Sequence, residues 1–559
     1  MVVYSVVFRY FTFSIPAKNV PAALRYLSSK VIPASDGTES THCIARAFHM
    51  IFGRKGFFGI EGKHFVTLFL LQEVVQTILR ASQASKLATF VPREGVVRAY
   101  VALVVAQCLS IPVFRRIRQT SPGLERLLYI MSDVLLGFVT TIPTVLALPY
   151  AQQYDMQSRN FPIPLYEGSE WYASVLSEFQ RNLIGSWFDL FTRIIMSMSI
   201  LISLDDSKVL LYPTSRCKDI KHIVRVENSE SQSENTSGTV VVPWRKRYAH
   251  RIMKMLIAGV GTAIMIFHVR TEVLGHHDGC ILPVRPWTSS KPGCAFMLLN
   301  CETMEIQGSE VEVTAVLSRI DPKSLQALNI VSCPHLPMPQ ILREFSHLST
   351  LRMFGSKVEE WGTDAALTAT EHPHMSAVAM IRVEMPNRTV PLGLMSPDFP
   401  PNLRTIHLRS TNVKTLPSTL SRIWPVGMIF MYEFNNATQV PEVIFEMSYF
   451  VLSLAGNLLT EFPTEGLYLS LMHLDLSGNP LTTLPETPAT LTERFGLPGV
   501  VAIDLSSTNL QALPSWCAGR PTWFMGAHTP LCSRILVGES SSVAVDCYTW
   551  DGVGMGQAT

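Results

Sequence analysis

A short pattern recurs through the second half of the chain and leaves few folds open to it. Leu452-Ser453-Leu454-Ala455-Gly456-Asn457-Leu458-Leu459-Thr460-Glu461-Phe462-Pro463 is followed by Leu474-Asp475-Leu476-Ser477-Gly478-Asn479-Pro480-Leu481-Thr482-Thr483-Leu484-Pro485. The same order returns from Ile503-Asp504-Leu505 through Leu510 to Leu513-Pro514, in Leu403, Ile406, Leu408, Thr411, Val413 and Leu416, and in Phe430, Tyr432, Asn435 and Val440. It decays upstream, through Leu348, Leu351, Met353 and Val358, with Val378, Met380, Val383 and Met385 as the poorest copy. A period of 22 to 29 residues marks a stack of small units. Alternation such as Leu474-x-Leu476 turns one face of a short strand inward. No unit can bury that face alone, so neighbouring units must cover it.

The pattern resembles the leucine-rich repeat family, with its L-x-x-L-x-L-x-x-N-x-L-x-x-L-P motif, over about eight units from Leu325 to Pro514. The resemblance implies a curved solenoid in which each unit is a strand and a looser return. It also implies that Asn435, Asn457 and Asn479 bond the backbone of the adjacent turn. Cys333, Ser356 and Thr411 are tolerable substitutes at that position, whereas Val383 is not, so the array is expected to be irregular there. The concave face is the expected working surface. Its column of Asn329, Arg352, His407, Met431, Ser453, Asp475 and Asp504 runs from basic to acidic, with Asp475 expected to face solvent. Met428, Ile429, Met431 and Phe434 are expected to form an exposed apolar patch, of the kind that often marks a ligand site.

The first half differs in kind. The chain as a whole is 47% hydrophobic and 16% charged, against about 25% charge in soluble domains, and the apolar excess lies before Arg270. Spanning a bilayer takes about 20 apolar residues in a helix. Residues 96–114, 127–150, 183–204 and 252–269 meet that need, and 65–79 is marginal. Asp189 and Arg193 are spaced to pair within one helix, and Gly259 with Ala263 offers a small-residue contact face. Met1 to Phe8 is apolar but Arg9 interrupts it, so a cleaved signal is not expected. Nine Lys and Arg residues between Asp205 and Arg251, and four arginines between Arg115 and Arg126, assign those loops to the cytoplasm. The expected organisation is a cytoplasmic segment over 1–63, a multi-pass domain over 64–269 with a basic loop at 205–251, a cysteine-containing cap over 270–324, repeats over 325–514, and a second cap and tail over 515–559. The fold class is thus an α-helical multi-pass membrane domain followed by an α/β leucine-rich-repeat solenoid.

Everything after Arg270 then falls outside the cell. Seven of the ten cysteines lie there: Cys280, Cys294, Cys301, Cys333, Cys517, Cys532 and Cys547. They are disulfide candidates, with pairing left open and one thiol over. The sequons at Asn387 and Asn436 fall on the same side as glycosylation candidates. A net charge of +2 gives no basic surface for nucleic acid. No phosphate loop, nucleophile elbow or kinase signature occurs, so no enzyme, cofactor or metal is expected. The expected partners are the lipid bilayer and a protein or cell-surface ligand on the concave face, at the plasma membrane. This resembles receptor-like leucine-rich-repeat proteins lacking a kinase. The alternative is a channel subunit similar to volume-regulated anion channels, which carry such repeats in the cytosol.

Overall fold

The computed structural model describes residues 65–118, scattered positions within 170–196, and residues 244–275, 277–462, 466–467, 469–486, 499–517, 522–538 and 543–548. The chain divides into two compact units, Met1–Val74 and Val75–Thr559. Of the first, only 65–74, the start of a helix, are described.

Helix α1 covers Phe65–Phe90, α2 Glu94–Arg118 and α3 Trp244–Val273. The first runs well past the expected 65–79, because Arg80 does not end it. Arg80 is buried and its Nη1 donates to Gln107 Oε1 at 2.8 Å. Pro92 disfavours helix in the residue before it and separates α1 from α2. Val97, Val101, Val104 and Cys108 form the buried stripe of α2, and Ile257, Ile264, His268 and Thr271 that of α3. Both stripes follow the i, i+3, i+4 spacing of a helix face. Helices α2 and α3 approach closely at Gly261, where an added Cβ would lie 2.5 Å from that of Cys108. Gly259, expected to share a contact face with Ala263, looks into open space. Among the described residues one stretch, Arg251–Val273, is long and apolar enough to cross a membrane. The expected span 127–150 lies outside the described residues, and 183–204 is described only in helical fragments.

The described residues from Cys280 onward form a solenoid of stacked strand-and-return coils. Strands β1 (Cys280–Val284), β2 (Gly293–Asn300), β3 (Ala327–Val331), β5 (Thr350–Phe354), β7 (Ala377–Ile381), β8 (Thr405–Arg409) and β9 (Met428–Glu433) continue into β10 (Tyr449–Ser453), β11 (His473–Asp475), β12 (Ala502–Asp504), β13 (Trp523–Met525) and β14 (Val545–Asp546) as one 12-stranded sheet. β1 is antiparallel to β2, and every later neighbour is parallel. A small second sheet pairs β4 (Leu336–Pro337) with β6 (Val358–Glu360) on the return side. The parallel sheet begins one strand before the recognisable repeats and ends two strands after them, so the cysteine-containing flanks are themselves coils of the array.

The core repeats as regularly as the sequence. Leu328, Leu351, Val378, Ile406, Phe430, Leu452, Leu474, Ile503 and Phe524 are each at most 1% exposed. The second leucine position, from Ile330 to Leu476 and Leu505, is equally buried. Asparagines tie the coils together. Asn457 Oδ1 accepts from the N–H of Asn435 at 2.9 Å and of Ala437 at 3.2 Å, while its Nδ2 donates to the carbonyls of Tyr432 and Leu454. Asn435 and Asn479 do the same one coil to either side. Gly456 makes the turn before Asn457 at φ 66°, and a Cβ there would strike the Phe434 ring. At Val383 the expected irregularity does not reach the sheet, which keeps its register from β5 through β8. Asn412 bonds both the N–H and the carbonyl of Met385 there.

Disulfides close both ends. Cys280–Cys294 staples the β1–β2 hairpin, Cys301–Cys333 links the ends of β2 and β3, and Cys532–Cys547 joins a short C-terminal helix, Pro530–Leu536, to the end of β14. Cys333, at an asparagine position, is thus held covalently. Cys517 is buried.

The first coil is fixed to the helices. The Arg285 guanidinium donates to Glu94 at 2.6 Å and is paired with Glu272 at 2.7 Å, and Arg98 bonds both carboxylates. With His268 these groups surround a cavity of about 10 Å³, room for roughly one water. The Arg285 N–H also donates to the Ala88 carbonyl at 2.7 Å. Nearby, Phe90 packs on His347, which stacks on His374. Burial, then the nearby His374 charge, holds His347 below its ordinary value.

Candidate functional site

Strand register aligns the expected concave column. Asn329, Arg352, Ala379, His407, Met431, Ser453, Asp475 and Asp504 lie side by side across eight strands. Neighbouring strands stand about 4.8 Å apart, so side chains on this face can meet across strands, as Ser453 and Asp475 do within the column and as Glu433 does from beside it. His407 Nε2 lies 3.1 Å from Glu433 Oε2, and Arg409 Nη1 lies 3.9 Å from the same oxygen. Ser453 Oγ donates to Glu433 Oε1 at 2.7 Å and lies 3.3 Å from Asp475 Oδ2. The N–H of Ser477 donates to Asp475 Oδ1, and that of Ser506 to Asp504 Oδ1.

This chain corrects the solvent-facing expectation for Asp475. It lies on the outward column but is only 4% exposed, folded against Ser453 and its own turn. Burial, then the Asp504 charge beside it and that of Glu433, push its carboxyl up to about 7. Glu433 behaves oppositely. Burial works to raise it, but the His407 hydrogen bond and charge, the Ser453 hydroxyl and Arg409 outweigh that and hold it below its ordinary value. This face therefore holds a Glu433 kept below its ordinary value beside His407, and an Asp475 that keeps its proton up to near neutrality.

The apolar patch expected around β9 does not exist as drawn. Met428 is 1% exposed because it shares its strand face with Phe430 and Tyr432, both core residues. Ile429 and Met431 are half-buried on the outward face. Phe434, beyond the strand, is exposed and lies under the Arg409 guanidinium, 4.8 Å from its ring centre. Arg352, His407 and Asp504 are half-buried. An apolar stripe instead lies further along, at Phe450, Met472, Val501 and Trp523, each 41–47% exposed. These sit at the entry of successive strands, where the alternation breaks and no repeat consensus speaks. Asn387 and Asn436 are exposed in left-handed turns. Asn387 lines an open depression of about 520 Å³ together with Lys357, Glu359, Glu384 and Arg388. Among the described residues, no group of three or more His, Cys, Asp and Glu side chains is placed to hold a metal.

A family model described as Leucine Rich Repeat matches residues 470–491. No curated protein matches the chain significantly. Among solved structures, Listeria monocytogenes InlP is 18% identical, with 42% of this chain and 62% of that one covered and a TM-score of 0.29. This chain therefore spans less than two thirds of that protein. The leucine-rich repeat domain of the type III effector XopL is 14% identical over 52% of this chain and 83% of that one, with a TM-score of 0.26. A plant ice-binding protein is 14% identical over 46% and 82%, with a TM-score of 0.23.

Proposed function

We propose that the chain is a membrane-anchored protein that displays its solenoid outside the cell as a receptor-like binding surface. One observation carries the orientation. Helices α2 and α3 lie antiparallel, with Glu94 and Glu272 meeting at the solenoid end. Arg115, Arg116 and Arg118 close the far end of α2, and Arg245, Lys246 and Arg247 open α3 at that same far end. Cationic ends stay cytoplasmic, so the solenoid faces outward. The apolar side chains left exposed on α3, among them Met255, Leu256 and Ile266, suit lipid contact. Three disulfides suit an oxidising compartment, and both sequons of the solenoid are exposed.

In this reading 1–63 and the basic loop 205–251 are cytoplasmic, and the spans 127–150 and 183–204 complete a multi-pass domain at the plasma membrane. The concave column presents Arg352, His407, Met431 and Asp504 to a protein or cell-surface ligand. Glycosidase and protease treatment of membranes holding the full chain tests it. The expected result is a mobility shift lost in an Asn387→Gln, Asn436→Gln double variant, with the solenoid digested from outside. A solenoid that is digested only after the membrane is opened sinks the orientation and favours the channel-like alternative.

A further inference from the structure

The two halves of the concave face differ in chemistry. Arg352, His407 and Arg409 lie on β5 and β8, whereas β10 to β14 contain no lysine or arginine. That C-terminal half carries Asp475 and Asp504 on adjacent strands, with Asp546 two strands beyond Asp504 in the same register. The flanking surface holds Phe450, Met472, Val501 and Trp523, each more than two-fifths exposed. Backbone bonds put the four at successive strand entries: the Met472 N–H donates to the Phe450 carbonyl at 3.0 Å, and the Trp523 N–H to that of Val501 at 2.9 Å. An apolar stripe beside acids whose strands hold no lysine or arginine is a surface built for one kind of neighbour.

Resting on the concave-face reading above, we propose that the surface of β10 to β14 docks a cationic, apolar segment of a protein partner. Its basic side chain meets Asp504, and its apolar residues cover Phe450, Met472, Val501 and Trp523. Asp475 lies beneath as a buried reserve of charge. It faces Ser453, Glu433 and Asp504 across the strands, with His473 on its own strand and His407 and Arg409 further along the column. A cation docked at Asp504 offsets the repulsion between the two aspartates and favours the ionised form of Asp475. Binding therefore strengthens as pH rises through neutrality.

Three matched synthetic peptides test this on the full-length protein purified in detergent: lysine–leucine–tryptophan, glutamate–leucine–tryptophan and lysine–serine. The first is expected to bind, and to bind at least tenfold more weakly to Asp504→Lys and to Met472→Asp, both at exposed or half-exposed positions. Val311→Asp, on the outer helix Glu310–Leu317 and 79% exposed, is expected to leave affinity unchanged. Affinity should rise between pH 6 and pH 8, and Asp475→Asn should abolish that rise. An unaltered circular dichroism spectrum separates lost binding from lost folding. Equal affinity for the glutamate peptide, or unchanged affinity in both Asp504→Lys and Met472→Asp, overturns the proposal. If the glutamate peptide binds and Arg352→Glu weakens it, the concave-face reading stands and this assignment falls. If no peptide binds, this assignment falls, and the general reading is then judged by capture of cell-surface protein on the intact solenoid.

Discussion

Asn457 satisfies four backbone groups that belong to two coils, in three bonds that are buried and one that is partly so. Truncating it leaves those groups without partners, at about 1–3 kcal/mol for each one that fails to find another. Asn457→Ala should therefore lower solenoid stability by about 2–5 kcal/mol, read as a shift in the urea unfolding midpoint. Leu476→Ala, at a fully buried position, should cost a similar 2–5 kcal/mol by leaving a cavity. Asp475 acts in the other direction. Its carboxyl is raised in the fold from 3.8 to about 7, so between those values the unfolded chain releases a proton that the folded chain keeps. Stability is highest below pH 4 on this account and falls as pH rises through about 7. Asp475→Asn should be near-neutral at pH 4 and stabilising by about 2–4 kcal/mol at pH 8. A wild-type midpoint that is flat between those two pH values would count against it. The sequence could be read for the leucine and asparagine positions because each is defined by its own repeat. The burial of Asp475 could not, since it depends on a serine one coil away and on the fold of its own turn.

At the scale of elements, the decisive contact joins α2, α3 and the first coil. Arg285→Ala removes a guanidinium shared by Glu94 and Glu272, in a pocket where the Arg285 side chain is only 10% exposed. Breaking one side of such a pair costs more than the pair contributes. Amide exchange over 88–94 should rise at least tenfold, while β3 to β12 keep their protection. The aromatic and histidine stack beside it adds a pH response. His347 is held below its ordinary value by burial, so the folded junction resists its protonation. The stability this adds is complete above about pH 6.5 and is lost as pH falls through the lowered folded value. Exchange at Phe90 and Gln326, whose side chain donates to the Phe90 carbonyl, should accelerate first on acidification. None of this junction was legible in the sequence. Its members come from three distant segments, and charges at the ends of apolar runs read there only as span boundaries. The flanking coils were hidden for a different reason: β13 and β14 carry Phe524 and Val545 without the leucine spacing around them.

Beyond the first coils, which also meet the helices, the described coils pack on their sequence neighbours, so the array has the nearest-neighbour cooperativity of a one-dimensional stack. Its weak points are then its ends, which is where the three disulfides lie. Reduction should lower the unfolding midpoint and start exchange at β1–β2 and β13–β14 rather than at β8–β9; uniform loosening of all coils would contradict the stacking account. The fold of this array was readable in the sequence because periodicity is a local property repeated many times. One further consequence comes from the way the array is mounted. Only residues 274–279 separate α3 from β1, and Arg285 clamps what little play they leave. A shaft fixed so short has no slack. A pull or twist on the distal coils reaches α3 as torque about its contact with α2 at Gly261, instead of being spent in straightening a tether.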